Sequence, residues 1–105
     1  MFIIKKQRKI KNVIFVVGIQ QDKDIPVMLK TINPLISTII FTKSKNEKAS
    51  NPKKLLKIFK KMHNKSIKTK IIDNPKKALN YAKKIADKKD LVIVAGSIYM
   101  IGEVI

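Results

Sequence analysis

The segment Val13-Ile14-Phe15-Val16-Val17-Gly18 decides the fold class of this chain. Five consecutive apolar residues that end at a glycine are typical of a strand buried on both faces. A second run of the same kind, Leu91-Val92-Ile93-Val94, lies near the other end of the sequence. Strands buried on both faces belong to parallel sheets that helices cover on both sides, so these two runs predict an α/β domain.

Two further strands are predicted between these runs. Ser37 to Thr42 is a clear strand, and Lys68 to Asp73 is a weaker one around Ile71-Ile72. The last strand is expected to extend from Asp90 to Ala95. Beyond it, Ile98 to Ile105 is predicted to form a short helix or an irregular tail.

Each segment between two strands begins with the same pair of helix signals, a capping residue and a proline in the first turn. The pairs are Asp24 with Pro26, Asn51 with Pro52 and Asn74 with Pro75. Apolar residues then recur at helical spacing in three sets, which are Ile25, Met28, Leu29 and Ile32; Leu55, Leu56, Phe59 and Met62; and Ala78, Leu79, Ala82, Ile85 and Ala86. Three helices are therefore expected, the first of them ending at Asn33-Pro34.

The alternation of strands and helices predicts a three-layer α/β domain with a mainly parallel sheet and right-handed crossovers. We expect a single domain over residues 1–105, of which residues 1–12 are a basic N-terminal segment. In sheets of this kind ligands bind beyond the carboxyl ends of the strands. Candidate functional residues are therefore sought in the segments Gly18 to Asp24, Thr42 to Ala49, Asp73-Asn74 and Gly96 to Gly102.

The 105 residues include no cysteine, which excludes disulfide bonds, thiol catalysis and thiolate metal sites. No apolar run approaches the roughly 18–20 residues of a membrane-spanning helix. The N-terminal segment holds only Phe2, Ile3 and Ile4 before a basic run, so it lacks the apolar centre of a secretion signal. These features predict an intracellular, cytoplasmic protein without membrane association and exclude a secreted disulfide scaffold.

The formal net charge is +17, and 23 of the 24 cationic side chains are lysines. Isoleucine is nearly as frequent, with 19 residues, so the two excesses look like a bias of composition along the whole chain. Proteins that read nucleic acids rely on arginine and on aromatic platforms, whereas this chain has one arginine and 6% aromatic residues. Weak, non-specific binding to polyanions is still expected at low salt.

The segments at the carboxyl ends of the strands hold few groups that could carry out chemistry. Asp22, Lys23 and Asp24 form either a polar ligand loop or a helix cap with a local ion pair. Ser97 and Tyr99 bring hydroxyls to the last turn, which is either a site or a plain turn before a packed helix. His63, the single histidine, lies among lysines and is interpreted as a surface residue. No catalytic residue and no metal site is predicted.

Five motifs occur in order along the chain. They are Gly18-x-x-x-Asp22-Lys23-Asp24-Ile25-x-x-Met28-Leu29; Ile40-Phe41-Thr42 with Ala49-x-x-Pro52-x-x-Leu55; Asp73-x-Pro75-x-x-Ala78-Leu79; Asp90-Leu91-Val92-x-Val94; and Gly96-Ser97-x-Tyr99-x-x-Gly102-Glu103-Val104. In order and spacing they resemble the folylpolyglutamate synthase/dihydrofolate synthase family. The resemblance extends over residues 13–105 and is to the C-terminal domain that this family shares with the Mur ligases.

The resemblance implies an ATP-dependent ligase of folate biosynthesis and one-carbon metabolism. In that family the carboxylate of the substrate is activated as an acyl phosphate, which the amine of glutamate attacks to form an amide. It implies that Ser97 and Tyr99 contact substrate and that Asp22, Lys23 and Asp24 lie toward the nucleotide or another domain. ATP and Mg²⁺ serve the intact family enzyme, whose phosphate loop and Mg²⁺ ligands lie in a large N-terminal domain outside the matched region.

The sequence departs from the family pattern in the first strand of the domain. Full-length members begin it with a strand that carries an Asp-Gly-Ala-His-Asn-Pro-like motif, which this chain lacks. Residues 1–12 can supply the end of the following helix or a short strand at Phe2 to Ile4, so the sheet is expected to lack its usual first strand. An unpaired edge beside buried strands predicts marginal stability or self-association, unless a partner chain supplies a strand.

A second departure concerns Lys48, the candidate contact for glutamate in the loop after the predicted strand Ser37 to Thr42. Family members commonly have arginine at this position, just before the residue that matches Ala49. A lysine attracts a carboxylate but cannot hold it through two parallel hydrogen bonds, as arginine does. This departure from the family pattern therefore predicts weaker binding of glutamate at this loop.

These features predict a C-terminal-domain fragment of an ATP-dependent folate glutamate ligase that is inactive alone and binds no cofactor by itself. A separate chain carrying the ATPase domain would be its partner, with glutamate and folate as ligands of the intact enzyme. The alternative is a small basic nucleic-acid-binding α/β protein, since the segment Lys43 to Lys70 holds 11 lysines against Glu47. A third hypothesis is a regulatory domain that binds a ligand in the same crevice without catalysis.

Overall fold

The computed structural model describes residues 2–5, 11–30, 36–62 and 66–96, the first of these ranges by its backbone alone. Within these ranges strands alternate with helices in the predicted way. The elements are β1 (Phe2–Lys5), β2 (Asn12–Gly18), α1 (Ile25–Lys30), β3 (Ile36–Phe41), α2 (Pro52–Met62), β4 (Lys68–Ile71), α3 (Pro75–Ile85) and β5 (Asp90–Gly96).

The strands form one sheet in the order β1-β5-β2-β3-β4. Strands β5, β2, β3 and β4 are parallel, and β1 runs antiparallel to β5. The strands β2 and β5 contain the two apolar runs that most clearly predict strands in the sequence. The predicted mixed α/β fold with a mainly parallel sheet is therefore confirmed.

Strand β1 occupies the outer edge of β5. Phe2 is paired with Val94 and Ile3 with Ile93, and the register is irregular between Ile3 and Lys5. Of the two alternatives for the N-terminal segment, the short strand is thus the one observed. The expected unpaired edge beside the buried strands is therefore not observed at β5, because β1 of the chain itself covers that edge.

The direction in which the sheet is wound reverses once. From β2 the chain proceeds through α1 to β3 and through α2 to β4, and then returns through α3 to β5, on the other side of β2. Helices α1 and α2 pack on one face, where Leu29, Leu55 and Phe59 are buried. Helix α3 packs on the opposite face through Ala78 and Ala82. The result is the predicted three-layer arrangement.

The core on the α1–α2 face is centred on two aromatic rings. Phe41 of β3 and Phe59 of α2 are both almost fully buried, and their ring centroids lie 5.6 Å apart at an interplanar angle of 64°. This edge-to-face geometry is favourable for aromatic pairs and fixes α2 against the end of β3.

Side-chain caps begin the helices where the sequence predicts them. Asn74 Oδ1 accepts a hydrogen bond from the Lys77 backbone N–H at 3.0 Å, and Asn51 Oδ1 accepts one from the Lys53 N–H at 3.0 Å. The predicted end of the first helix at Asn33-Pro34 and the predicted tail from Ile98 lie outside the described residues. None of the described helices is long and apolar enough to cross a membrane.

Three predicted strand ends are wrong by one or two residues. Strand β5 ends at Gly96, one residue beyond the predicted Ala95, and two other strands end early. Strand β3 ends at Phe41 and β4 at Ile71, whereas the apolar pattern extends them to Thr42 and Asp73. The reason is that the Asp73 carbonyl accepts hydrogen bonds from Thr42 Oγ1 and the Lys43 N–H, so both strands turn into loops there.

Candidate ligand site at the carboxyl edge of the sheet

The reversal of winding lies between β2 and β5. At this point Gly18, the last residue of β2, is paired with Gly96, the last residue of β5. Doubly wound sheets bind ligands in the crevice at such a reversal, because the loops from the two strands leave toward opposite faces. Neither glycine has a side chain to fill the space, so backbone groups can approach a ligand closely. The Gly18–Gly96 pair therefore marks the candidate site.

The loop after β2 and the loop after β3 are joined by backbone hydrogen bonds. The Gln21 N–H donates to the Lys48 carbonyl oxygen at 2.7 Å, and the Ser50 N–H donates to the Ile19 carbonyl oxygen at 2.8 Å. Two segments that are remote in sequence thus form one rim of the crevice. Sequence patterns could not reveal this joining, because it uses main-chain groups that every residue carries.

Lys48 is held by its backbone and exposed through its side chain. The Lys48 N–H donates to Asn46 Oδ1 at 2.9 Å, and the Ala49 N–H donates to the Asn46 carbonyl oxygen at 3.0 Å. Since its carbonyl is bound by Gln21, both main-chain groups of Lys48 are satisfied. The exposed side chain therefore extends into solvent from a fixed backbone position, and its ammonium group can attract a carboxylate as a point charge.

Asp22, Lys23 and Asp24 lie on the same rim, and all three are exposed. Asp24 Oδ1 accepts a long hydrogen bond from the Val27 N–H at 3.4 Å, and the Asp24 carbonyl accepts from the Met28 N–H at 3.0 Å. Asp24 thus caps α1, which is the cap part of one of the two sequence alternatives. The contact uses one of its two carboxylate oxygens.

Three residues singled out in the sequence, His63, Ser97 and Tyr99, lie outside the described residues. Ser97 follows Gly96 directly in the sequence, and Gly96 is one half of the glycine pair at the crevice.

A third loop joins the rim at the end of β4. Thr42, which is fully buried, donates through Oγ1 to the Asp73 carbonyl oxygen at 2.9 Å. A shallow depression of about 240 Å³ lies between Lys43, Lys45 and the Asp73-Asn74 turn.

Ser50 is also buried, and its hydroxyl has no hydrogen-bond partner among the described residues. The sequence did not single out Ser50, since a serine before a helix cap carries no distinctive signal.

The charges are distributed unevenly over the surface. The described loops at the carboxyl edge hold four exposed acids, Asp22, Asp24, Glu47 and Asp73, and four exposed lysines, Lys23, Lys43, Lys45 and Lys48. Helices α2 and α3 together hold nine lysines and no acid. The candidate site is therefore balanced in charge while the helix faces are strongly positive. Because α2 and α3 lie on opposite faces of the sheet, this positive charge is divided between two surfaces, and the nucleic-acid alternative is not favoured.

The described loops at the carboxyl edge of the sheet offer no ready site for a metal ion or a nucleotide phosphate. Among residues 11–30, 36–62 and 66–96, no group of three or more His, Cys, Asp or Glu side chains could hold a metal. The segment Gly18 to Asp24 has one glycine, whereas phosphate loops need several to bring backbone N–H groups together. The donor set of this edge therefore does not fit Mg²⁺ by itself.

The sequence matches one protein family along almost its whole length. The family model described as dihydrofolate synthetase, C-terminal domain, matches residues 2–105. Among curated proteins, no sequence matches this chain significantly.

Solved structures of folylpolyglutamate synthases share the fold. The enzyme from Mycobacterium tuberculosis, in complex with ADP and AMPPCP, superposes with a TM-score of 0.71 at 15% identity over 88% of this chain and 22% of that chain. The enzyme from Thermotoga maritima gives a TM-score of 0.70 at 20% identity over 90% of this chain and 20% of that chain. This chain thus spans about a fifth of the length of these structures. The match over residues 2–105 and the shared fold lead to one conclusion: the chain belongs to the dihydrofolate synthetase C-terminal-domain family.

Proposed function

We propose that this chain acts as the C-terminal domain of an ATP-dependent ligase that joins glutamate to a folate-type carboxylic acid. The observation that carries the proposal is the glycine pair Gly18–Gly96 at the reversal of the sheet, with the Lys48 loop fixed beside it, in a domain of this family. The complex of the mycobacterial relative with ADP and AMPPCP supports a nucleotide in the assembled enzyme.

The proposed reaction has two steps. An oxygen of the acid's carboxylate attacks the γ-phosphorus of ATP, and ADP leaves with the electron pair of the broken P–O bond. The amine of glutamate then attacks the acyl carbon, phosphate leaves with the C–O electron pair, and the amine proton passes to solvent. Both steps depend on positioning and on stabilising negative charge.

In this proposal the residues of the chain bind and orient substrates. Lys48 attracts a carboxylate of glutamate, and the hydrogen bonds to its backbone keep its position fixed relative to the crevice. Ser97 and Tyr99 contact substrate through their hydroxyls, while Asp22, Lys23 and Asp24 face the nucleotide or the ATP-binding domain. These assignments rest on the family motif and on the shared rim.

The ATP-binding domain is the partner that the proposal requires. Because the described residues do not fit Mg²⁺ and lack a phosphate loop, we assign both functions to that domain, in the same polypeptide or in a separate chain. The chain alone is then inactive as a ligase, because phosphoryl transfer needs a cradle for the phosphates. We place the assembly in the cytoplasm as part of this proposal.

Two observations test the proposal. The coding sequence immediately upstream is expected to encode a phosphate loop and an Asp-Gly-Ala-His-Asn-Pro-like segment, and an unrelated protein there would contradict the proposal.

In a ligase assembled from both parts, Lys48→Ala should raise the KM for glutamate about tenfold with little change in kcat, since one charge-assisted contact is lost. Lys88→Ala, a change of equal charge in the turn before β5, should leave both constants unchanged.

A further inference from the structure

An open groove of about 820 Å³ lies at the opposite end of the sheet from the candidate ligase site. Its lining includes Asn12, Lys68 and Asp90, which are the first residues of β2, β4 and β5. The groove is thus at the amino edge of the sheet, between α3 and the edge strand β4. The family motifs do not include the residues that form its walls.

The path of α3 explains why the groove exists. Helix α3 crosses from β4 back to β5 and packs its small residues Ala78 and Ala82 onto Val16 and Val92 near the middle of the sheet. Strand β4, at the edge of the sheet, lies beyond the helix on that same face. Within β4, Ile71 packs toward α2, so the alternate residues Lys68 and Lys70 lie on the α3 side.

The two walls of the groove differ in chemistry. Helix α3 contributes an apolar wall, formed by the half-buried ring of Tyr81 and by Ile85, which is 37% exposed. The opposite rim is cationic, since Lys68 and Lys70 are both exposed and their Cα atoms are about 6.7 Å apart at two strand positions. The Lys70 ammonium lies 4.5 Å from the centroid of the Tyr81 ring, a cation–π contact that favours a position at the groove.

The floor adds hydroxyl groups, and its carboxylates lie at the β5 end, three strand positions from the lysines of β4. Thr38 is paired with Lys68 across the sheet and lines the floor. Asp90 is buried, and its carboxylate accepts hydrogen bonds from Asn12 Nδ2 at 3.2 Å and from the Asp87 N–H at 2.9 Å. Each of its oxygens thus accepts one hydrogen bond within the protein, and the neutral donors leave its negative charge in place. The exposed carboxylate of Asp87 remains at one end and disfavours an anion there, so the anionic part of a ligand belongs at the lysine rim.

We propose that this groove binds a small molecule that combines a planar apolar ring with a phosphate group. The ring would lie along Tyr81 and Ile85, and the phosphate would bridge the ammonium groups of Lys68 and Lys70 above the Thr38 hydroxyl. A volume of this size accommodates a ligand of that kind, and phosphate accepts several charge-assisted hydrogen bonds at once. The site is separate from the carboxyl edge and does not depend on the ligase function.

Titration of the full chain with phenyl phosphate, followed by ¹H–¹⁵N NMR, tests the proposal. The amides of Thr38, Lys68, Lys70 and Tyr81 should shift together in a saturable way. The double variant Lys68→Ala/Lys70→Ala should weaken binding at least about tenfold, since two charge-assisted contacts are lost. The matched double variant Lys53→Ala/Lys57→Ala removes the same charge from α2 and should change the affinity less than about twofold.

Two further probes separate the ring from the charge. Inorganic phosphate and benzyl alcohol should each bind more weakly than phenyl phosphate at the same residues. Thr38→Val keeps the shape and charge of the groove and should weaken phenyl phosphate binding by about fivefold. Equal losses in the two lysine variants, shifts spread over all lysine-rich surfaces, or no shift up to the solubility limit of the probe would each overturn the proposal.

Discussion

The backbone N–H of Gln21 donates a hydrogen bond to the carbonyl oxygen of Lys48 at 2.7 Å. An isolated antiparallel bridge between Gln20 and Ala49 and a side-chain bond from Gln21 Nε2 to the Ala49 carbonyl oxygen extend this contact. The loop after β2 and the loop after β3 are therefore joined by several hydrogen bonds. Lys48 and the Asp22–Asp24 segment are far apart in the sequence. The hydrogen bonds between the two loops hold them next to each other beside the crevice.

The first prediction concerns the rigidity of this rim. The amides of Gln21 and Ser50 should exchange with solvent slowly, because both donate to carbonyl oxygens of the neighbouring loop. The amides of Asp22 and Glu47, in exposed positions of the same loops, should exchange faster. Native-state hydrogen exchange measured by NMR distinguishes them, and equal rates for all four would mean that the loops are not joined in solution.

The second prediction compares two buried hydroxyls. Thr42→Val removes a hydrogen bond to the Asp73 carbonyl oxygen and should lower the free energy of unfolding by about 1–3 kcal/mol. Ser50→Ala removes a buried hydroxyl that has no partner among the described residues, so stability should stay the same or rise slightly. Urea unfolding followed by circular dichroism measures both, and a larger loss for Ser50→Ala would contradict the assignment.

The third prediction concerns the start of α3. Asn74→Ala should cost about 1 kcal/mol of stability, because the Lys77 N–H loses its capping acceptor. Asn80→Ala is the matched control, since Asn80 is exposed in the middle of the same helix. That variant should gain about 0.5 kcal/mol from helix propensity. Thermal melts that give the two variants the same sign would refute this account of the cap.

The fourth prediction concerns the edge of β5. Removal of residues 1–5 exposes the unpaired edge of a strand whose residues Val92 and Val94 are fully buried. We expect the shortened chain to self-associate more strongly than the full chain, because an open apolar edge recruits other strands. Sedimentation velocity over a range of concentrations measures this tendency. A shortened chain that remains monomeric at every concentration would show that β1 does not protect the edge.

The fifth prediction concerns the lysine-rich helices. Every exposed residue of α2 is a lysine, which predicts binding to any polyanion at low salt. The affinity for single-stranded DNA should fall about a hundredfold or more between about 0.05 M and about 0.2 M salt. Fluorescence anisotropy with a labelled oligonucleotide provides the measurement. Binding that persists at the higher salt would favour a dedicated nucleic-acid surface.

Much of the fold could be predicted from the sequence, because its main signals are local. The apolar runs around Phe15 and Ile93 identify the central strands, and the caps Asn51 and Asn74 with their prolines locate two helices. The strand order could not be predicted in the same way. That β5 lies beside β2 depends on the path of α3 across the sheet, which no short segment encodes.

The candidate site was predictable in position but not in construction. The rule that ligands bind beyond the carboxyl ends of parallel strands identifies the edge at which the Gly18–Gly96 pair lies. The pairing of Gly18 with Gly96 and the bond between Gln21 and Lys48 depend on tertiary structure. The groove at the amino edge is not predicted by this rule, which concerns the opposite ends of the strands. Its signal is the alternation of Lys68 and Lys70 on a strand with one covered face.

The ligation of glutamate to dihydropteroate by the purified chain, measured as ADP release and amide product, tests the central claim most directly. A full-length folylpolyglutamate synthase with its own substrate, run in parallel, confirms that both readouts work. The account predicts that the chain alone releases no ADP and forms no amide above the reaction without protein, because the phosphate cradle belongs to another domain. Turnover by the chain alone, with one ADP released for each amide formed, would contradict the assignment of this chain as the C-terminal domain of a larger ligase.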